Sequence, residues 1–291
     1  MKQRQTIRPL RLFLLFGLTA ALLLGTFSMG AGAAEGYDFP PDAAPVQITL
    51  DGKSILEGEA VILQSVTYVP LRAFSDLLGA DSVTWNSRTS TATITKGSTV
   101  LHVTDSGYYV EASGRYFYTP QPVRNIGNRL FVPIRPLASV FCLELSWLAD
   151  SRTVALTSTG KTLKSGSSYY NANDLYWLSR IISAEAGGES LYGQIAVGNV
   201  VLNRVASRQY PNTIYGVIFD RTGGVQFSPV SMGTIYNTPT ASAVRAAKIC
   251  LEGYSISSRI LFFMNPRLAT SSWISQNRPY AFTIGNHSFY Y

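Results

Sequence analysis

Histidine and cysteine are scarce in this chain of 291 residues, with two of each: His102 and His287, Cys142 and Cys250. So few histidines exclude catalysis at a copper or zinc centre built on a histidine cluster, and no acidic or thiol cluster takes their place. No Cys-x-x-Cys spacing accompanies the cysteines, which lie in different halves, each inside an apolar run. They read as two buried free thiols. No metal and no cofactor is expected. Charged residues make up only 14% of the chain. No Lys/Arg cluster with interleaved aromatics is present, which argues against a nucleic-acid partner.

The net charge of +7 is unevenly spread. Residues 1–34 carry four basic and no acidic residues, and residues 35–164 carry 11 basic and 12 acidic. Residues 165–291 carry 9 basic and 5 acidic, so the positive surface beyond the N-terminus belongs to the C-terminal part and suits a polyanionic partner. The N-terminal charge has another reading. Lys2, Arg4, Arg8 and Arg11 precede an apolar run over residues 12–29, followed by Ala31-Gly-Ala-Ala34. This is the pattern of a signal peptide over residues 1–34, cleaved after Ala33 or Ala34, and it implies a secreted protein. Left uncleaved, the same segment is the chain's one expected membrane contact. Residues 35–45 are rich in Pro, Asp and Ala and read as a linker.

Residues 46–159 look like a β-rich α+β domain with short alternating stretches such as Val46-Gln-Ile48-Thr-Leu50. An internal repeat runs through them. Tyr68-Val-Pro-Leu-Arg72 is matched 63 residues later by Phe131-Val-Pro-Ile-Arg135, and the Trp85-to-Ile94 block is matched 62 residues later by Trp147 to Leu156. Each copy reads as strand, Val-Pro, short helix (residues 71–78 and 134–143), Trp and strand, with proline at the helix start. These blocks resemble the copper amine oxidase N-terminal-like, or stalk, domain of exported bacterial proteins. The resemblance does not bring copper chemistry to a chain with two histidines. A non-catalytic spacer or wall-binding module is expected, with Arg72 and Arg135 either binding an anionic polymer or paired within the fold. Residues 160–168 are small and polar and read as a linker.

Residues 169–291 read as a mostly helical α+β domain. In Asp174-Leu-Tyr-Trp-Leu-Ser-Arg-Ile-Ile-Ser-Ala-Glu185-Ala-Gly-Gly188, Leu175, Leu178, Ile181 and Ile182 recur at helical spacing. Asn173 or Asp174 can cap the start, and Gly187-Gly188 can end the helix. Glu185 then lies in the last turn, where the helix dipole and an apolar wall both disfavour its charge and raise its pKa toward that of a general acid. The alternative is a solvated glutamate at a surface helix end. A buried helix over residues 191–204 follows, and Thr238 with Pro239 opens another that stops at Gly253. Gln226, Phe227, Ser228, Asn265, Trp273, Asn286 and His287 pair polar groups with aromatic faces, as sugar sites do. Each also has an ordinary structural reading: Trp273 in a core, Asn286 in a turn, His287 as a hydrogen-bonded support.

Five ordered blocks strengthen the sugar reading: Ser183-Ala-Glu185-Ala-Gly-Gly-Glu189, Gly193 to Arg204, Tyr210 to Ile218, Gln226-Phe-Ser228 and Thr283-Ile-Gly-Asn-His287. Together they resemble the SleB/CwlJ-type cell wall hydrolases. The resemblance implies a lysozyme-like fold, cleavage of the MurNAc–GlcNAc bond of peptidoglycan in the vegetative wall or spore cortex, and Glu185 as catalytic acid. Gly187 departs from it, since the family often has a basic residue there. Glycosidases commonly need a second carboxylate. Of Asp174, Glu185, Glu189, Asp220 and Glu252, only Glu189 and Asp220 are candidates, and neither is compelling. A lytic transglycosylase with a single glutamate, acting as a monomer, is therefore expected. The rival reading is a wall-binding protein with an inactive hydrolase-like domain.

Overall fold

In the N-terminal half, strand Val66–Pro70 runs directly into helix Leu71–Leu77, and strand Arg129–Pro133 runs into helix Ile134–Val140 in the same way. Pro70 and Pro133 stand at the N-cap, just before the first turn, where the missing N–H removes no helical hydrogen bond. The two strands pair antiparallel, with Val69 opposite Val132, Tyr68 opposite Pro133 and Pro70 opposite Phe131. Val69 and Val132, 63 residues apart, mark a local two-fold that relates the two strands. The pair lies in a five-stranded sheet. A second five-stranded sheet is a meander from Ser82–Asn86 to Arg115–Tyr118. In a third sheet Thr153–Ser158 runs parallel to Gln47–Leu50, which ties the two ends of this half together. Ile48, Val69, Phe74, Val132 and Leu137 are fully buried between these layers. Burial of each side chain of this size contributes about 1.5–3 kcal/mol.

This structure is a computed structural model that describes residues 39–269 and 271–291. The expected signal peptide and the first residues of the following linker lie outside the described residues. Among the described residues, no helix is long and apolar enough to cross a membrane.

The C-terminal half is built on three helices: an acid helix (Ala172–Ala186), a central helix (Leu191–Ala206) and a clamp helix (Ala241–Leu251). Asn171, not Asn173 or Asp174, caps the acid helix, its side chain accepting from Asn173 N (2.9 Å) and Asp174 N (3.1 Å). The backbone decides this, because Asn171 is extended while the other two already lie in the first turn. Leu178, Ile181 and Ile182 form the buried stripe. At Gly198 of the central helix a Cβ would meet Cys250 Sγ at 2.7 Å and Ile182 Cδ1 at 2.9 Å, so glycine sets the closeness of all three helices. The clamp helix starts two residues later than expected, capped by Thr240, which accepts from Ala243 N at 3.1 Å. Helix Ser228–Met232 and strand His287–Tyr290 were not expected. The strand is the middle member of a three-stranded sheet with Phe262–Met264 and Tyr280–Ile284. Cys250 is buried and Cys142 only half-buried; both are free.

The two halves belong to one compact unit. The segment expected as a loose linker is pinned: Gly166 N donates to Ser113 O at 2.9 Å, and residues Gly166–Tyr169 form a helical turn. Glu252, just past the clamp helix, makes the central contact. Arg115 grips it with two bonds, Nε to Oε1 (2.8 Å) and Nη2 to Oε2 (2.6 Å), and Tyr170 OH donates to Oε1 (2.5 Å). Lys248 Nζ donates to Gly114 O, and Arg245 lies over the Tyr109 ring. The Arg115 and Glu252 side chains keep only 11% and 6% of their exposure. Removing one partner of such a pair strands a buried charge. Arg115→Ala should therefore lower unfolding stability by about 3–5 kcal/mol in urea titration. A loss below about 1 kcal/mol, the worth of an exposed pair, would contradict this placement.

Candidate active site

The last turn of the acid helix opens onto a cleft of about 970 Å³. Its other walls are the loop before helix Ser228–Met232, that helix, residues 263–269 and the turn at residues 286–287. Glu185 lines this cleft, at the end of the stripe formed by Ile181 and Ile182. Its carboxyl takes no hydrogen bond among the described residues, and burial alone pushes its pKa up to about 7. Desolvation penalises the anion, and nothing nearby compensates it.

Glu189 lies in the same cleft in the opposite electrostatic state. Asn286 donates to it twice, from Nδ2 to Oε1 (2.8 Å) and from its backbone N to Oε2 (3.3 Å). These bonds, the Nδ2 bond foremost, hold its pKa below the usual carboxylate value. The close fit requires glycine at 285, in the left-handed region at φ 56°, because a Cβ there would collide with Glu189 Oε2. His287 Nδ1 sits 3.8 Å from Glu189 Oε1, and burial lowers the pKa of its imidazole.

Gln226, Phe227, Ser228, Asn265, Asn286 and His287 also line the cleft, so the fold gathers six of the seven sugar-site candidates around Glu185. Gln226 is already engaged, donating to Thr222 O (3.0 Å) and Gly224 O (3.2 Å), which closes the glycine loop. Phe227 is buried in the helical core and forms a wall, not a stacking platform. Trp273 is the exception: it is 51% exposed, packs beside Phe262 and Arg278, and does not line the cleft. Asp220 also lies off the cleft, where it accepts from Thr222 N at 2.9 Å.

Two residues escaped the sequence reading because they sit in an apolar helix. Gln194 is buried on the central helix and donates to Gly187 O (3.4 Å) and Glu189 O (3.1 Å), while its Oε1 accepts from Ser242 Oγ (2.8 Å). One amide thus ties the end of the acid helix to the clamp helix. A Cβ at residue 187 would meet Ser183 O at 2.5 Å, so this backbone fits the glycine that departs from the family pattern. Arg204, also buried, lines the cleft and donates to Leu261 O (2.8 Å) and Gln226 Oε1 (3.5 Å). A polar residue in a helix otherwise buried all round is the signal that marks both. Among the described residues, no three of His, Cys, Asp and Glu come together as a metal site requires.

Residues 188–290 match the family model Cell Wall Hydrolase, a span that begins three residues after Glu185, and residues 49–156 match the Copper amine oxidase N-terminal domain. The chain thus carries a cell wall hydrolase domain preceded by a copper amine oxidase N-terminal-like domain. Within that class it is similar to a spore cortex-lytic enzyme of Bacillus cereus, 39% identical over 120 residues that cover 41% of this chain and 45% of that protein. A cell wall hydrolase CwlJ of Oceanobacillus iheyensis is 29% identical over 114 residues, covering 37% of this chain and 79% of that one. A solved structure of the catalytic domain of the germination-specific lytic transglycosylase SleB from Bacillus anthracis is 37% identical. It covers 44% of this chain and all of that domain, with a TM-score of 0.39. The chain therefore spans less than half the length of the spore cortex-lytic enzyme it matches.

The uncompensated Glu185 carboxyl has a cost that depends on pH. Its folded pKa of about 7 lies above the ordinary 4.5, so the penalty is absent below about 4.5, grows as pH rises, and is complete above about 7. Glu185→Gln should raise unfolding stability at pH 8 by about 2–3 kcal/mol and leave it unchanged at pH 4. Denaturant titrations at the two pH values check this, and an equal shift at both would sink it.

Proposed function

We propose that this protein is exported and cleaves the MurNAc–GlcNAc bond of peptidoglycan as a lytic transglycosylase with Glu185 as its single acid. The observation that carries the reading is one carboxyl, lining a cleft of about 970 Å³, without a donor and with a pKa of about 7. Such a group is protonated often enough at neutral pH to give its proton to a leaving oxygen. Glu185 protonates the glycosidic oxygen as the bond from the muramic acid C1 breaks. Its carboxylate then takes the proton of the muramic acid C6 hydroxyl as that oxygen bonds to C1, closing a 1,6-anhydro ring. No water has to be activated, so no second carboxylate is needed.

The state of the other acids supports this economy. Glu189 is held ionised by Asn286, with the His287 imidazole beside it, and serves as a strut of the cleft wall. Asp220 serves its own loop, and Glu252 serves the contact between halves. On this reading residues 46–159 are a repeated stalk-like domain, residues 160–168 a short joint, and residues 169–291 a lysozyme-like catalytic domain acting as a monomer. The similarity to spore cortex-lytic enzymes favours cortex peptidoglycan as the wall it meets.

Mass spectrometry of digested peptidoglycan should find 1,6-anhydromuramic acid ends, and hydrated muramic acid ends alone would refute the route. Glu185→Gln should lower the rate by about 10²–10⁴-fold. The acid form is lost as pH rises through about 7, so kcat/KM should fall about tenfold per pH unit above that point. A chain that binds peptidoglycan and releases nothing at any pH would mark the domain as inactive.

A further inference from the structure

We infer that the N-terminal half carries two glycan-binding clefts, each built on an exposed tryptophan beside an arginine: Trp85 with Arg72, and Trp147 with Arg135. The first cleft, of about 450 Å³, opens where helix Leu71–Leu77 begins. The second, of about 710 Å³, opens where helix Ile134–Val140 begins. The arginines stand 63 residues apart and the tryptophans 62 apart, the offsets of the two matching sequence blocks. The local two-fold at Val69 and Val132 relates the helix starts, so the same chemistry is presented twice.

Neither tryptophan serves the core. Trp85 is 48% exposed and Trp147 44% exposed, each on a largely exposed strand in which only Val83, or Leu143 and Leu145, are half-buried. An indole left half in water twice, at equivalent places, is an apolar face that lacks its partner. Sugar rings present flat C–H faces that fit an indole, and the lactyl and peptide carboxylates of a wall glycan fit a guanidinium. Arg72 is oriented for this by a bond from Nη2 to Val83 O (3.1 Å), two residues before Trp85. Arg135 makes no side-chain hydrogen bond or ion pair among the described residues and lines the second cleft. Asp76 and Asn128 in the first cleft add partners for ring hydroxyls. The second cleft extends to Glu252 and Tyr254 of the C-terminal half, so a strand held there lies against the domain proposed to cut it. The choice of wall glycan as occupant rests on that proposed function.

The test uses the full chain carrying Glu185→Gln, sedimented with insoluble purified peptidoglycan. Adding Trp85→Ala or Trp147→Ala should raise the half-saturating peptidoglycan concentration about tenfold each, the scale of one lost ring stack. The pair together should bring binding near background. Tyrosine at both positions keeps a ring and should retain most of the binding, which separates the loss from misfolding. In the chain with Glu185 intact, the double alanine variant should slow on insoluble wall and keep its rate on soluble glycan fragments. Unchanged binding, or equal slowing on both substrates, overturns the inference. Tryptophan-dependent binding in a chain that cleaves neither substrate would refute the transglycosylase reading and leave the clefts standing.

Discussion

A carboxylate taken out of water must find donors or give up its charge, and the C-terminal half is organised by that constraint. Glu252 has three donor bonds from Arg115 and Tyr170, so its oxygens are satisfied in a buried place and it joins the two halves. Glu189 has two from Asn286, so it stays charged at the cleft wall. Glu185 has none among the described residues, and its pKa rises. These glutamates differ in what the backbone delivers to them, and on the proposed function that difference sorts them into fastener, strut and acid.

The supply of donors comes from far along the chain. Arg115 is 137 residues from Glu252, and Asn286 is 97 from Glu189. Each connection is made by packing that has its own cause: the close approach of helices at Gly198, the tight turn at Gly285, and the amide of Gln194 bridging the ends of the acid and clamp helices. The cleft is thus a by-product of helix contacts that are individually ordinary. At Glu185, as at His287 Nδ1 in the same cleft, the packing leaves a polar demand unmet, as sites of chemistry often do.

Much of this was legible in the sequence where the signal was local. The stripe of Leu178, Ile181 and Ile182 and the glycines that follow placed Glu185 at a helix end, and the β-rich and helical halves were separable by period. Caps were harder: Asn171, Asn173 and Asp174 are all capping types, and only the backbone chooses among them. Strand His287–Tyr290 was missed because all four of its residues are buried, so no alternation marks it. Trp273 and Asp220 have the right chemistry in the wrong place, which composition cannot reveal. Gln194 and Glu252 act through partners that no spacing rule reaches.

The pairing of Val66–Pro70 with Arg129–Pro133 has a consequence for anything held on both sides of it. A glycan strand has a reducing and a non-reducing end, and a two-fold axis reverses direction. A strand seated in the Trp85 cleft with its reducing end forward sits in the Trp147 cleft with that end behind. If both clefts hold glycan as inferred, the strands seated in them run in opposite directions.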